Sequence, residues 1–249
     1  MKVLMRAVLA LVCAPLLCVL FASAHAQPWP SKTIRYIVPF APGGTTDILG
    51  RMVAAGLSSF NVASVRELVE LLKANPNKYS FGSAGNGTSQ HISGELFKIM
   101  TGTQMQHIPY KGSGPMIPDL LAGTIQLSFE NITTAYPQVK GGKLKALAVT
   151  SSKRSFVAPE VPTMAEAGLA GYDISSWQAM YAPAGTPRDI VARLHAETVK
   201  ALRSPENQKK LSELGLDAGG MAPEDLAALM RADIPRLGKV VRESGAKVD

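Results

Sequence analysis

Beyond Cys18 the chain has no cysteine, and both of its cysteines, Cys13 and Cys18, fall near the start. The remainder therefore has no disulfide staple, no thiolate nucleophile and no cysteine-ligated metal, and has to be stabilised by an ordinary apolar core. Aromatic residues make up only 6% of the chain. They do not interleave with clusters of lysine and arginine, as a nucleic-acid surface requires, so the basic balance of +7 does not indicate nucleic acid as a partner. A net positive charge suits an acidic ligand or an envelope-facing surface. After Phe21 no apolar run approaches the length of a membrane span.

What is present at the start is a leader. Lys2 and Arg6 precede the apolar run Ala7 to Phe21, and Ala24-His25-Ala26 follows it. This order predicts a secretory signal peptide over residues 1–26, cleaved after Ala26, and a soluble periplasmic protein that begins at Gln27. Lipid anchoring at Cys18 is disfavoured because Leu17 stands where such sites take a small residue.

Two segments share one design. Ile34 to Val38 is β-branched and predicts a strand. It runs through Pro39-Phe40-Ala41-Pro42-Gly43-Gly44 into a helix start near Thr45. Tyr79 to Ser83 leads in the same way through Ala84-Gly85-Asn86-Gly87 to Thr88-Ser89. Glycines allow close backbone approach, and the helix start offers unpaired N–H groups and the positive end of its dipole. Two such turns facing one another would clamp a small anion. Asp47 suits the capping of the first helix better than contact with a carboxylate, which it would repel.

Downstream, strands and helices alternate. Strands are predicted over Gln104–Tyr110, Ile125–Phe129 and Leu144–Thr150, and helices over Gly114–Ala122 and Ala135–Lys140. This order implies an α/β fold with a parallel sheet, whose ligands bind at the carboxyl ends of the strands. Ser64 with Glu67 forms a capping box before Val65–Ala74. Thr186-Pro187 reads as an N-cap and first residue before Arg188–Leu202, and Pro205 and Pro223 open two further helices. The Pro/Gly-rich stretch Ser155–Asp173, with a short helix at Thr163–Ala167, suits a crossing between lobes. Trp177–Ala182 is expected as a returning strand, with Trp177 and Tyr181 on one face.

These segments, together with Pro109-Tyr110-Lys111-Gly112, Ala146-Leu147-Ala148-Val149-Thr150 and Val161-Pro162-Thr163-Met164-Ala165-Glu166-Ala167-Gly168, resemble the substrate-binding receptors of tripartite tricarboxylate transporters, the Bug family. The resemblance implies a two-lobed, type II-like periplasmic-binding-protein architecture that closes on a small carboxylate. It further implies a monomeric receptor, not an enzyme, that works without a cofactor or metal and delivers its ligand to the transporter's membrane subunits. It implies ligand contacts from Ala41, Pro42, Gly43, Gly44 and Thr45, and from Ser83, Ala84, Gly85, Asn86, Gly87, Thr88 and Ser89. Glu130 is placed toward the ligand's variable end. Lobe one comprises residues 27–60 plus 176–249, and lobe two residues 61–175.

One departure is large. Family members carry two more strand–helix units and a crossing strand between the first helix and lobe two, whereas here Asp47–Leu57 runs through Ser58-Ser59-Phe60-Asn61 into the helix at Ser64. Each unit takes about 30 residues, so lobe one is expected to be incomplete. Its few strands leave too little sheet for its helices, and ligand affinity is expected to be weak or lost. A non-functional truncated receptor is the first alternative.

Other motifs have plainer readings. Gly82 and Gly87 have P-loop spacing, but Thr88 stands where lysine is required. Phe81 occupies the glycine position of a nucleophile elbow, which leaves a secreted serine hydrolase built on Ser83 or Ser89 with His91 poorly supported. His91 and Glu95 have metal-chelating spacing but no third ligand near them. They read as a local pair, and His107 and His195 as isolated histidines. For Glu130, a ligand hydroxyl, amide or amine competes with an exposed loop acid. Lys111 is either a carboxylate partner or an exposed turn lysine.

Overall fold

In the computed structural model, residues 60–247 are described. The predicted leader, the strand at Ile34–Val38, the turn Ala41–Thr45 and the helix at Asp47–Leu57 lie outside the described residues.

The sheet has three parallel strands: β1 (Ser80–Ser83), β2 (Gln106–Pro109) and β3 (Leu127–Ser128), in the order β2-β1-β3. Phe81 pairs with His107 on one side and with Leu127 on the other. Four helices accompany the strands: α1 (Val65–Ala74), α2 (Ser89–Thr101), α3 (Ser113–Leu121) and α4 (Ile132–Lys140). Successive residues of a strand point to opposite faces, and the central strand uses both. Phe81 faces α2 and joins Phe97, Leu68 and Leu72 of α1, Met105, Met164 and Tyr172 in the main core. Gly82 faces the other way, against Met116 of α3 and Ile125. Helices therefore cover both faces, as a parallel sheet requires.

Three C-terminal helices follow: α5 (Arg188–Leu202), α6 (Pro205–Glu213) and α7 (Pro223–Ser244). Only α7 reaches the core, where Val240, Leu237 and Val241 pack on Ile92 and Leu96 of α2. Neither α5 nor α6 has a buried residue, and Ile190, Leu194, Met180, Tyr181 and Ile234 remain exposed. Among the described residues no strand covers this apolar surface. The fold is the α/β class expected, with one well-covered sheet and a helical remainder short of sheet. No described helix is long and apolar enough to cross a membrane.

Several predicted elements differ in detail. The capping box forms, with Glu67 N donating to Ser64 Oγ, but its return arm reaches Ala63 N at 2.8 Å rather than Ser64 N. Leu144–Thr150 is not a strand. Leu144 N bonds back to Gln138 O, and only Val149 meets Thr163, in a single parallel bridge. Thr163–Ala167 makes one turn, closed by Ala167 N to Thr163 O, and Gly168 then leaves the helical region at φ 102. Thr186 does not cap α5, because its hydroxyl donates to Pro183 O and Pro187 takes the cap position. Trp177–Ala182 forms no strand, since it has no ladder partner among the described residues.

The tightest joint in the core is Gly94 against Phe81. A Cβ at Gly94 would overlap the Phe81 ring, which is wholly buried. Gly94→Ala is expected to cost about 1–3 kcal/mol by overpacking and to lower the thermal midpoint by roughly 3–10 °C. A calorimetric melt that matches the parent protein would contradict this packing.

Candidate functional site

The carboxyl ends of the three strands carry the helix starts of α2, α3 and α4, and Glu130 stands among them. One carboxylate oxygen, Oε1, accepts four hydrogen bonds. They come from Gln90 Nε2 (2.8 Å), Ser113 Oγ (2.9 Å), Asn131 N (2.9 Å) and Thr134 Oγ1 (2.9 Å). Gln90 lies in the first turn of α2, Ser113 opens α3, and Asn131 caps α4. Each helix start brings the positive end of its dipole, so Glu130 is a resident anion shared by three helix N-termini. Its other oxygen, Oε2, is buried and has no hydrogen-bond partner among the described residues.

Gln90 carries this arrangement into the turn that follows β1, because its Oε1 accepts from Ala84 N. The turn Ser83–Ser89 is heavily braced. Ser83 Oγ donates to Gly85 O at 3.0 Å and accepts from Gly85 N at 3.2 Å, while Thr88 Oγ1 donates to Gly85 O at 2.8 Å. Gly85 and Gly87 hold φ 141 and 71, values that side-chain-bearing residues rarely adopt. Thr88 caps α2 by accepting from His91 N. The amides of Ser89 and Gln90, at the open end of α2, have no hydrogen-bond partner among the described residues. Tyr110 N and Gly112 N donate to Ser83 O and Ala84 O, tying the second turn to the first. The Tyr110 phenol donates to Asp119 at 2.7 Å, and burial followed by that carboxylate pushes its pKa up to about 12.

The structure thus brings Ser83, Ala84, Gly85, Asn86, Gly87, Thr88, Ser89 and Glu130 to one end of the sheet, with Gln90 as the link between the turn and Glu130. Lys111 is exposed beside this turn. Ala41, Pro42, Gly43, Gly44 and Thr45 lie outside the described residues.

Two histidines read as isolated lie directly behind the turn. His107 Nε2 is 2.6 Å from Ser83 Oγ, and Gly87 N donates to His91 Nδ1 at 3.1 Å. The two rings stack at 3.8 Å with an 8° tilt, and Phe81 stacks on His107 at 4.9 Å. Burial, then the neighbouring His91, lowers His107 to about 4; burial lowers His91 too, against the pull of Glu95. Their signal in the sequence was positional: His91 is the third residue of a capped helix, and His107 sits in a strand next to the exposed Gln106. The His91–Glu95 spacing does not make a metal site, because both Glu95 oxygens bind Lys98 Nζ at 2.8–2.9 Å. Among the described residues no three His, Asp or Glu side chains gather to hold an ion. The hydrolase pairing of Ser83 with His91 is absent as well, since Ser83 meets His107 and is 0% exposed.

With this geometry in place, the comparisons define the class. The family model "Tripartite tricarboxylate transporter family receptor" matches residues 24–246, and the chain belongs to this family of solute receptors, whose members are periplasmic. It is 38% identical over 218 residues to a UPF0065 protein from a Pseudomonas species, covering 84% of this chain and 65% of that relative. It is 33% identical over 219 residues to Protein BugT of Bordetella pertussis, covering 88% and 66%. Among solved structures, R. palustris Rpa4515 with adipate superposes with a TM-score of 0.71 at 37% identity, over 77% of this chain and 64% of that one. MatC from Rhodopseudomonas palustris with bound malate gives 0.67 at 31%, over 74% and 63%. The chain therefore spans just under two thirds of the length of these relatives. Its match to another Bordetella pertussis protein, 25% identical, runs over 300 aligned positions and takes in 90% of this chain and 93% of that one. Because 300 exceeds the length of this chain, that alignment crosses a gap within it.

Two outcomes follow from the site. Replacing Gln90 by Leu strands the Ala84 amide and removes one donor from Glu130, at an expected cost of about 2 kcal/mol; chemical denaturation measures the cost, and faster hydrogen exchange at Ala84 locates it. The histidine pair sets a pH dependence. Both rings are held neutral in the fold, while the unfolded chain takes up protons near 6.5, so the unfolded state binds more protons between about pH 6.5 and 4. Stability is therefore expected to be full above this window and to fall as pH drops through it. Thermal midpoints that stay constant from pH 7 to pH 4 would contradict the neutral pair.

Proposed function

We propose that this chain is a periplasmic receptor that binds a small carboxylate and passes it to the membrane subunits of a tripartite tricarboxylate transporter. It is read as a monomer that uses no cofactor and no nucleic acid, exported by a signal peptide over residues 1–26 with cleavage after Ala26. The observation that carries this reading is the open end of α2, where the unpartnered amides of Ser89 and Gln90 and the Ser89 hydroxyl meet at the carboxyl end of a parallel sheet. Residues Ser83–Ser89 supply one wall of the site. Ala41–Thr45 are read as further ligand contacts, and Glu130 as a residue toward the ligand's variable end, for a hydroxyl, amide or amine. Residues 61–175 act as lobe two, and 27–60 with 176–249 as a shortened lobe one. The internal alignment gap and the uncovered apolar surface of α5 both support a missing part of that lobe. The chain is read as non-catalytic, since its buried serine lacks a free approach and an acid partner for His107.

Adipate and malate, bound by two structural neighbours, are the first ligands to test by isothermal titration, with citrate beside them. Saturable but weak binding is expected, with a Kd on the order of 0.1–1 mM, because part of the enclosing wall is missing. Heats that never saturate for any carboxylate would overturn the reading. Ser89→Pro sharpens the test, since proline is at home in the first position of a helix but has no N–H. It is expected to weaken binding by about tenfold, the loss of one charge-assisted hydrogen bond, with the thermal midpoint little changed.

A further inference from the structure

We propose that the stacked His91–His107 pair positions the ligand turn and that the turn is held only while His91 is neutral, so that carboxylate binding is lost on acidification. This inference rests on the receptor reading above and adds a control that the ligand-facing residues do not contain.

The argument starts from hydrogen-bond direction. Gly87 N–H donates to His91 Nδ1, which fixes the proton of a neutral His91 on Nε2. A second proton has to enter at Nδ1. That converts the acceptor into a donor pointing at another donor, and Gly87 is released from the ring. The same proton places a positive charge 3.8 Å from His107, whose Nε2 contacts the Ser83 hydroxyl at the opposite end of the turn. The two rings therefore grip the turn at Ser83 and at Gly87. With Ser83 Oγ donating to Gly85 O, His107 Nε2–H donates to Ser83 and keeps that bond when charged. Acid therefore releases the turn at Gly87, through His91.

The charged neighbours favour this sensitivity. Glu95, on the same helix, lies 3.9 Å from His91 Nε2, a position that would stabilise an imidazolium. Lys98 engages both Glu95 oxygens and offsets part of that help, and it lowers both histidines. From β1 the pair meets Phe81 and Ser83. From α7, the cluster packed on α2 is the apolar Val240, Leu237 and Val241. The Tyr172 hydroxyl binds Ser93 O on α2 and, being buried, stays protonated. Glu130 reaches this region through Gln90. With no free anion to welcome it among the described residues, a proton on His91 is accommodated by giving up the turn.

The test uses the full mature chain without ligand first. Long-range proton–nitrogen NMR follows both imidazoles and the Gly87 amide from pH 7 to about pH 4. The Gly87 amide is expected to shift with the same midpoint as the rings and to stop titrating in His91→Phe. In Lys98→Met, which touches neither the turn nor the ligand, the midpoint is expected to move upward as Glu95 becomes free to stabilise the charged ring. That shift identifies the ring charge as the cause, and the Gly87 amide moving with it in the same variant is what a purely structural histidine pair would not show. A Gly87 amide that stays flat while the rings titrate, or an unmoved midpoint in Lys98→Met, overturns the proposal. Malate titrations form a separate arm, with affinity expected to fall by about tenfold or more between pH 7 and pH 4.5. Undiminished binding at the lower pH also overturns the proposal. Absence of malate binding at every pH counts against the receptor reading and leaves the NMR outcome to decide the role of the histidines.

Discussion

The Glu130 carboxylate, set among the first turns of three helices, is the interaction on which this end of the molecule depends. A carboxylate withdrawn from water without a cation is costly, and no lysine or arginine pairs with Glu130 among the described residues. Four neutral donors and three helix dipoles take the place of a cation. Because the four donors come from three helix starts, Gln90 from α2, Ser113 from α3, and Asn131 and Thr134 from α4, satisfying the charge also fixes the three strand-to-helix connections relative to one another. Gln90 extends the effect to Ala84, so the turn Ser83–Ser89 is placed in part by a charge that belongs to another connection.

A resident anion of this kind shapes what the site can hold. The positive ends of all three helices are partly satisfied by Glu130, and the amides of Ser89 and Gln90, without a hydrogen-bond partner among the described residues, are the proposed contacts for a ligand carboxylate. The bare Oε2 of Glu130 favours a donor nearby.

Local patterns made much of this visible in the sequence. The run from Tyr79 to Ser89 announces a strand, a glycine turn and a capped helix because all three depend on neighbours in the chain. Ser64 and Glu67 mark the start of α1 for the same reason. What the sequence hid depends on distant partners. Gln90 and Glu130 are forty residues apart and meet only through the parallel order β2-β1-β3. Ser83 finds His107 rather than His91 because the register sets Ser83 two rungs from the Phe81–His107 pair. The expected strands at Leu144–Thr150 and Trp177–Ala182 failed on the same ground: extended, apolar residues become a strand only when another edge pairs with them.

The shortened chain then acts on the two walls of the proposed cleft unequally. The sheet of residues 80–128 has its own core, from Phe81 and Phe97 to Met164 and Tyr172, and its ligand turn is held by contacts internal to that core. The helices after Arg188 lack this independence, since α5 buries no residue and Trp177, Met180 and Tyr181 stay exposed. An anion on the α2 terminus alone would sit beside water, where the pull of a helix dipole is worth only about 0.3–1 kcal/mol and is further screened by salt. Closing a second wall removes that water and strengthens the same N–H contacts without adding a single new one. The chemistry of recognition can therefore be intact in Ser83–Ser89 while the affinity is small, because affinity in this design comes as much from excluding solvent as from the groups that touch the ligand.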